Sequence, residues 1–130
     1  MNLDKYLIPK INKTKDQYYI KNDNKIIASI NFYDYEIDNF DWILVANVET
    51  DAMYRNRGFA TLLISTLYND IKYKKGLYLF VKPNNINAIN LYKKMGFELL
   101  KRYKIKNEMY NIMIKGNVDK NQFDNMVFNN

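Results

Sequence analysis

The segment Arg55-Asn56-Arg57-Gly58-Phe59-Ala60 carries the residue types that can hold an anion. Gly58 can take a positive φ and lets another group come close to the backbone. From Ala60 to Tyr73 the apolar residues Leu63, Ile64, Leu67 and Ile71 recur at helical spacing, which predicts a helix over 60–73. That helix begins with unpaired N–H groups and the positive end of its dipole, an arrangement that suits phosphate. Arg55 and Arg57 flank the turn and can add charge-assisted contacts; each equally suits a solvated surface.

The elements around the turn decide what it faces. Ile43 to Thr50 is apolar and rich in β-formers, as in a strand covered on both faces. Gly76 opens a second buried-strand pattern, Leu77-Tyr78-Leu79-Phe80-Val81. A helix separates these two strands, so they should pair in parallel through a right-handed crossover. Pro83-Asn84-Asn85 starts a second helix, which Gly96 ends. Strands over 17–21 and 25–33 are joined through Asn22-Asp23-Asn24, and strands over 97–105 and 108–115 form a hairpin around Lys106-Asn107. Ahead of these, Leu3, Tyr6 and Leu7 can form at most a short helix. Past Asn117 the chain is mostly polar, and Phe123, Met126 and Val127 sit at helical spacing, compatible with docking on the core or with disorder.

Composition excludes several kinds of chemistry. The 130 residues suffice for one domain with one core, and the 48% of apolar residues argues against disorder. With no Cys there is neither a disulfide framework nor a thiol nucleophile, and with no His there is no imidazole base or histidine metal site. No window reaches transmembrane length and the start has no long apolar stretch, so no membrane is expected and the cytoplasm is the default location. The net charge of +6 invites a nucleic-acid reading, but the lysines are scattered among acidic residues and no RNA-binding signature is present. A solvated surface accounts for most of them, and part of the excess can steer a polyanion inward.

Two motifs carry a family resemblance. Arg-x-x-Gly-x-Ala at 55–60 is similar to the acetyl-CoA signature of GNAT-type N-acetyltransferases, and Asn85-Ile86-Asn87-Ala88-Ile89-Asn90-Leu91-Tyr92-Lys93-Lys94-Met95-Gly96-Phe97 resembles the later family motif Asn-x-x-Ala-x-x-Leu-Tyr-x-x-x-Gly-Phe. They stand in the family's order, separated by one helix and one strand. The resemblance implies an α/β (α+β) fold with a GNAT-like mixed central sheet in the order β-β-α-β-α-β-β, one domain over 1–116, and a polar C-terminal tail over 117–130. Members usually carry a strand and two helices ahead of the first hairpin, where this chain has residues 1–16. The shortened N-terminal region implies an acceptor site that is open or completed by a second subunit, as in a homodimer.

The same resemblance implies acetyl-CoA as acyl donor and assigns its contacts residue by residue. The pyrophosphate would rest on the backbone N–H groups of Arg57, Gly58, Phe59, Ala60 and Thr61, with Arg55 alongside. The backbone of Val48 and Thr50 would pair with the pantetheine arm, as an added strand would. Asn85 would contact the cofactor, and the Tyr92 hydroxyl would lie near the thioester sulfur. A thiol pKa of about 8.5 lies below a phenol's 10 or so, so Tyr92 serves by hydrogen bonding to the forming thiolate more than by driving full protonation.

The base is less defined. Many members place a Glu on the central strand, at the position that Leu44 occupies here. Glu49 is the candidate among nearby carboxylates, ahead of Asp51; Asn47 can order a water, and a water relay to solvent is the other route. Asp34-Tyr35-Glu36-Ile37-Asp38-Asn39-Phe40-Asp41-Trp42 interleaves acids with aromatics, as a cage for a cationic amine would. It equally reads as a wet loop whose aromatics tuck into the core. The function expected is direct transfer of acetyl from acetyl-CoA to a primary amine of a small molecule or peptide, with no metal. A non-catalytic acyl-CoA sensor and a basic nucleic-acid binder are the alternatives.

Overall fold

The computed structural model describes residues 9–72 and 74–124. The short apolar pattern at Leu3, Tyr6 and Leu7, and Met126 and Val127 of the tail, lie outside them. Seven strands form one sheet: β1 (Ile11–Lys13), β2 (Gln17–Asn22), β3 (Lys25–Tyr33), β4 (Trp42–Thr50), β5 (Gly76–Val81), β6 (Glu98–Ile105) and β7 (Glu108–Lys115). Helix α1 (Phe59–Asp70) connects β4 to β5, and α2 (Ile86–Lys94) connects β5 to β6. The strands lie in the order β1-β2-β3-β4-β5-β7-β6. All neighbours are antiparallel except β4 and β5, which run parallel, as the intervening helix requires.

From β3 onward the chain follows the expected order β-β-α-β-α-β-β, in an α+β arrangement. Two strands stand ahead of it. β2 was anticipated at 17–21; β1, which pairs Ile11 with Ile20 and Lys13 with Tyr18, was not. It is three residues long and has no apolar alternation to announce it. Helix α1 ends at Asp70, short of the expected 73, because Ile71 already bonds back to Leu67 as a C-cap and Lys72 takes φ +54°.

The two sheet faces are covered differently. Both helices pack on one face, where Leu63, Ile64 and Leu67 of α1 and Ile89 and Tyr92 of α2 meet Ile20, Ile30, Val45, Leu79 and Met113. Lys115 Nζ donates to Met95 O at 2.6 Å, placing a cation at the negative end of α2. On the opposite face a smaller cluster gathers Phe40, Trp42, Tyr78, Ile112, Ile114 and Phe123. Phe123 docks there, its ring 5.1 Å from Trp42 and 5.2 Å from both Phe40 and Tyr78. Trp42 Nε1 donates to Asp119 O at 3.2 Å, and Asp41 N donates to Gln122 Oε1 at 2.8 Å. The residues past Asn117 therefore return to the sheet through a short 3-10 turn at Lys120–Phe123.

Candidate active site

Strands β4 and β5 share only three register pairs: Trp42 with Gly76, Ile43 with Leu77, and Leu44 with Tyr78. Beyond Leu44 they part. A bulge in β4 accompanies the separation: Ser29 faces Glu49 while Asn31 faces Ala46, so β4 has one more residue than β3 in this interval. Asn47 supplies it, at φ +51°, a conformation Asn tolerates better than most residues.

The parting leaves backbone groups of β4 facing an open cleft. Asp51 N donates to Ile27 O at 2.8 Å, so by antiparallel alternation Glu49 and Asp51 address β3. The N–H and C=O groups of Val48 and Thr50 then point away from β3, toward the gap. One of them already has a partner, for Arg55 Nε donates to Thr50 O at 3.2 Å. The side chains alternate as well. Thr50 shares the helix-covered face with its partner Ala28, and Glu49 shares the opposite face with its partner Ser29.

The cleft has a volume of about 1230 Å³ and runs from the end of β4, past the start of α1, along α2. Val48, Glu49, Thr50, Arg55, Gly58, Phe59, Ala60, Thr61, Asn85 and Tyr92 all line it; Asn47 and Arg57 do not. Arg57 instead lies over the Tyr54 ring, 5.0 Å from its centroid, a cation–π contact. At the head of α1, Gly58 is the N-cap with φ +80° and supplies no side-chain cap. Leu62 N makes the first helical bond, to Gly58 O at 2.9 Å. The N–H groups of Phe59, Ala60 and Thr61 precede that bond and lack intrahelical acceptors. A Cβ on Gly58 would meet no protein atom within 4 Å, so the space in front of it is open.

Helix α2 presents the second half of the site. Asn85 is its N-cap, with Oδ1 accepting from Ala88 N at 3.2 Å. Tyr92 is buried against Phe97, with ring centroids 5.8 Å apart, and still borders the cleft. Burial raises its phenol above the ordinary range, which keeps the hydroxyl protonated. Asp51, the other carboxylate considered as a base, is engaged elsewhere. It caps the 3-10 turn Ala52–Tyr54 by accepting from Met53 N, and it pairs with Lys25 at 2.9 Å. Those hydrogen bonds, Lys25 first, hold its carboxyl below the usual range.

The family model of the acetyltransferase (GNAT) family matches residues 3–97. The chain belongs to the GNAT acetyltransferase family. No curated protein matches it by sequence. Its fold is similar to that of the ribosomal-protein-S18-alanine N-acetyltransferase from Escherichia coli, at 20% identity over 89% of this chain and 77% of that one, with a TM-score of 0.65. It is also similar to Arabidopsis thaliana Naa50 in complex with the bisubstrate analogue CoA-Ac-MVNAL, at 20% identity, 88% and 87% coverage and a TM-score of 0.66. A GNAT family acetyltransferase from Elizabethkingia anophelis with acetyl-CoA bound gives 17% identity, 77% and 74% coverage and a TM-score of 0.62.

GNAT enzymes take their acetyl group from acetyl-CoA. The donor's chemistry fits this GNAT site: a polyanion meets an uncapped helix start, open space over a glycine and an arginine, and an extended arm meets free strand edge. The sequence reading overlooked several cleft-lining residues. Tyr54 is held by Asn22 Nδ2 at 2.6 Å to its hydroxyl oxygen and packs 6.3 Å from Phe59. Asn87, Asn90 and Lys94 line the cleft from one side of α2. Their helical spacing was the available signal, but three polar residues on an exposed face look like ordinary solvation. No group of carboxylates suited to a metal ion occurs among the described residues, and no described helix is long and apolar enough to cross a membrane.

Proposed function

We propose that this GNAT protein transfers acetyl from acetyl-CoA directly to a primary amine of a small molecule or peptide, in the cleft where β4 and β5 part. The observation that carries the reading is the coincidence of an uncapped α1 start, the free β4 edge at Val48 and Thr50, and Tyr92 around one cavity. The N–H groups of Gly58, Phe59, Ala60 and Thr61 bind the pyrophosphate, and Arg55 adds charge while tying the turn to Thr50 O. Arg57 contributes through its N–H and by holding Tyr54 in place. Val48 and the remaining N–H of Thr50 align the pantetheine arm. The Asn85 carbonyl is occupied as a helix cap, so its amide NH2 is the part left for the donor.

In the transfer, the amine nitrogen forms a bond to the acetyl carbon and the carbon–sulfur bond breaks. Tyr92 donates a hydrogen bond to the departing sulfur, which leaves as the CoA thiolate and takes up a proton from the tyrosine or from water. The amine gives up its own proton to water in contact with Glu49, whose side chain lies on the sheet face away from the helices. Asn47 positions a water at the bulge. Support for a peptide or protein amine comes from the solved relatives, several of which act on, or are bound to, peptide-like substrates.

The test is a thermal-shift titration with acetyl-CoA beside CoA and ATP, on the wild type and Gly58→Glu. At a hundredfold excess over Kd the ligand adds about 2.7 kcal/mol, several degrees for a domain of this size. A shift that is lost in the variant, followed by release of CoA thiol with an amine panel, supports the proposal. Absence of a shift at millimolar acetyl-CoA overturns it.

A further inference from the structure

An aromatic shelf runs along the sheet face opposite the helices and ends at the gap between β4 and β5. Tyr33, Leu44 and Tyr78 are register partners across β3, β4 and β5, so their side chains stand side by side on this face. Tyr35 stacks on Tyr33, with centroids 6.2 Å apart and planes 21° apart, and more than half of Tyr35 is exposed. Phe80 extends the row past the gap, 6.0 Å from Tyr78 and 6.3 Å from Tyr110. Burial first, and then the Tyr35 phenol, push the Tyr78 hydroxyl above its ordinary range. None of the chain's own cations covers the Tyr33–Tyr35 stack among the described residues, although five other tyrosines carry a lysine or arginine over their rings.

Charge distinguishes this face from the donor side. In a chain of net charge +6, the loop that carries Tyr35 holds Asp34, Glu36, Asp38 and Asp41 with no lysine or arginine between them. Asp34 is neutralised by Lys75 and Asp41 hydrogen-bonds Gln122, whereas Glu36 and Asp38 have no ion-pair partner among the described residues. The loop enters β4 at Trp42, and the arginine-bearing turn leaves it after Thr50. The two ends of one strand thus present opposite signs, separated by ~25 Å at 3.3 Å per residue. A polyanionic donor is drawn to one end and a cation to the other.

Resting on the transfer reaction proposed above, we propose that the shelf of Tyr33, Tyr35, Leu44 and Phe80, laid beside the buried Tyr78, binds an acceptor that carries a second cationic group beyond the amine it presents to the gap. The second cation sits over the exposed Tyr35 face, within the field of Glu36 and Asp38, while the reacting amine reaches the acetyl carbon in the gap just past Leu44. The same chemistry occurs in diamines and in peptides with a basic side chain near the amino end.

The experiment measures CoA release with matched acceptors. One arm compares 1,4-diaminobutane with n-butylamine; the other compares the peptide amides Ala-Ala-Lys and Ala-Ala-Leu. The expected result is a kcat/KM about tenfold higher for the charged member of at least one pair, and the arm that shows it names the source. Glu36→Gln with Asp38→Asn, and separately Tyr35→Ala, should each cut that ratio severalfold while the acetyl-CoA thermal shift is retained. Raising the salt concentration should lower the ratio in the wild type and not in the double variant. Equal rates for charged and neutral members, or a ratio untouched by both variants, overturn this inference and leave the transfer reaction standing. No CoA release with any of the four amines overturns both.

Discussion

Leu44 and Tyr78 form the last register pair of the parallel β4–β5 ladder, and the β4 residues that line the cleft, Val48 to Thr50, lie beyond it. Leu44 also packs against the aromatic cluster on the far face. The position at which the family resemblance implies a glutamate base is here an apolar residue outside the cleft lining. Leu44→Glu should place a carboxylate against apolar neighbours, lowering stability by about 1–3 kcal/mol at neutral pH with no gain in kcat. Urea unfolding together with a CoA-release assay checks both parts.

Tyr92 and Glu49 both line the cleft. Tyr92→Phe removes a hydrogen bond to the departing sulfur and should lower kcat by about 10²-fold, with the acetyl-CoA thermal shift unchanged. Burial raises the Tyr92 pKa, so the protonated form persists as pH rises past the ordinary phenol value of about 10. The pH–rate profile should accordingly show no alkaline decline from this residue below that value. Glu49→Gln should leave donor binding intact and lower kcat, with rate partly restored at higher pH as more neutral amine becomes available.

Phe123 and Gly76 both lie against Trp42. Phe123→Ala should cost about 3–5 kcal/mol, the range for emptying a buried aromatic site. Gly76→Ala should also destabilise, because the new Cβ would lie 2.2 Å from the Trp42 ring. Thermal melts of both variants, with near-UV circular dichroism of the single tryptophan, would show whether the C-terminal turn has left the sheet.

Asp70 links the far end of α1 to the first two strands. It pairs with Lys13 at 2.8 Å and accepts from the Tyr18 hydroxyl at 2.5 Å. These contacts, Lys13 first, hold its carboxyl below the ordinary range. A depressed carboxylate contributes stability above its unfolded pKa of about 3.9, and that contribution is lost as pH falls below this value through the folded pKa. Asp70→Asn should therefore cost about 1 kcal/mol or less at pH 7, given the solvent exposure of the pair. It should also flatten the acid limb of the stability curve below pH 4, as measured by denaturant titration at several pH values.

The parts legible in the sequence were those set by local periodicity and by glycine. The strands at 43–50 and 77–81, the helices that follow them and the Gly58 turn all have short-range signatures, because apolar spacing and a required positive φ act within one element. Each residue of the signature turn except Arg57, and both polar residues of the second motif, reached one cleft. Other features depended on contacts distant in sequence. Asp51 is a cap and an ion-pair partner rather than a base because β3 brings Lys25 to it. Asn47 carries the bulge because β3 and β4 differ by one residue in this interval, which no single-strand pattern reveals. Phe123 docks because Phe40, Trp42 and Tyr78, from three separate stretches, converge on one sheet face. Sequence alone determined the longer strands, both helices and which turn can hold an anion, but not β1, which forms through its pairing with β2. The tertiary structure decided where the strands part, which carboxylates are free and which aromatics face the gap, because strand register and burial are set by pairing between distant segments.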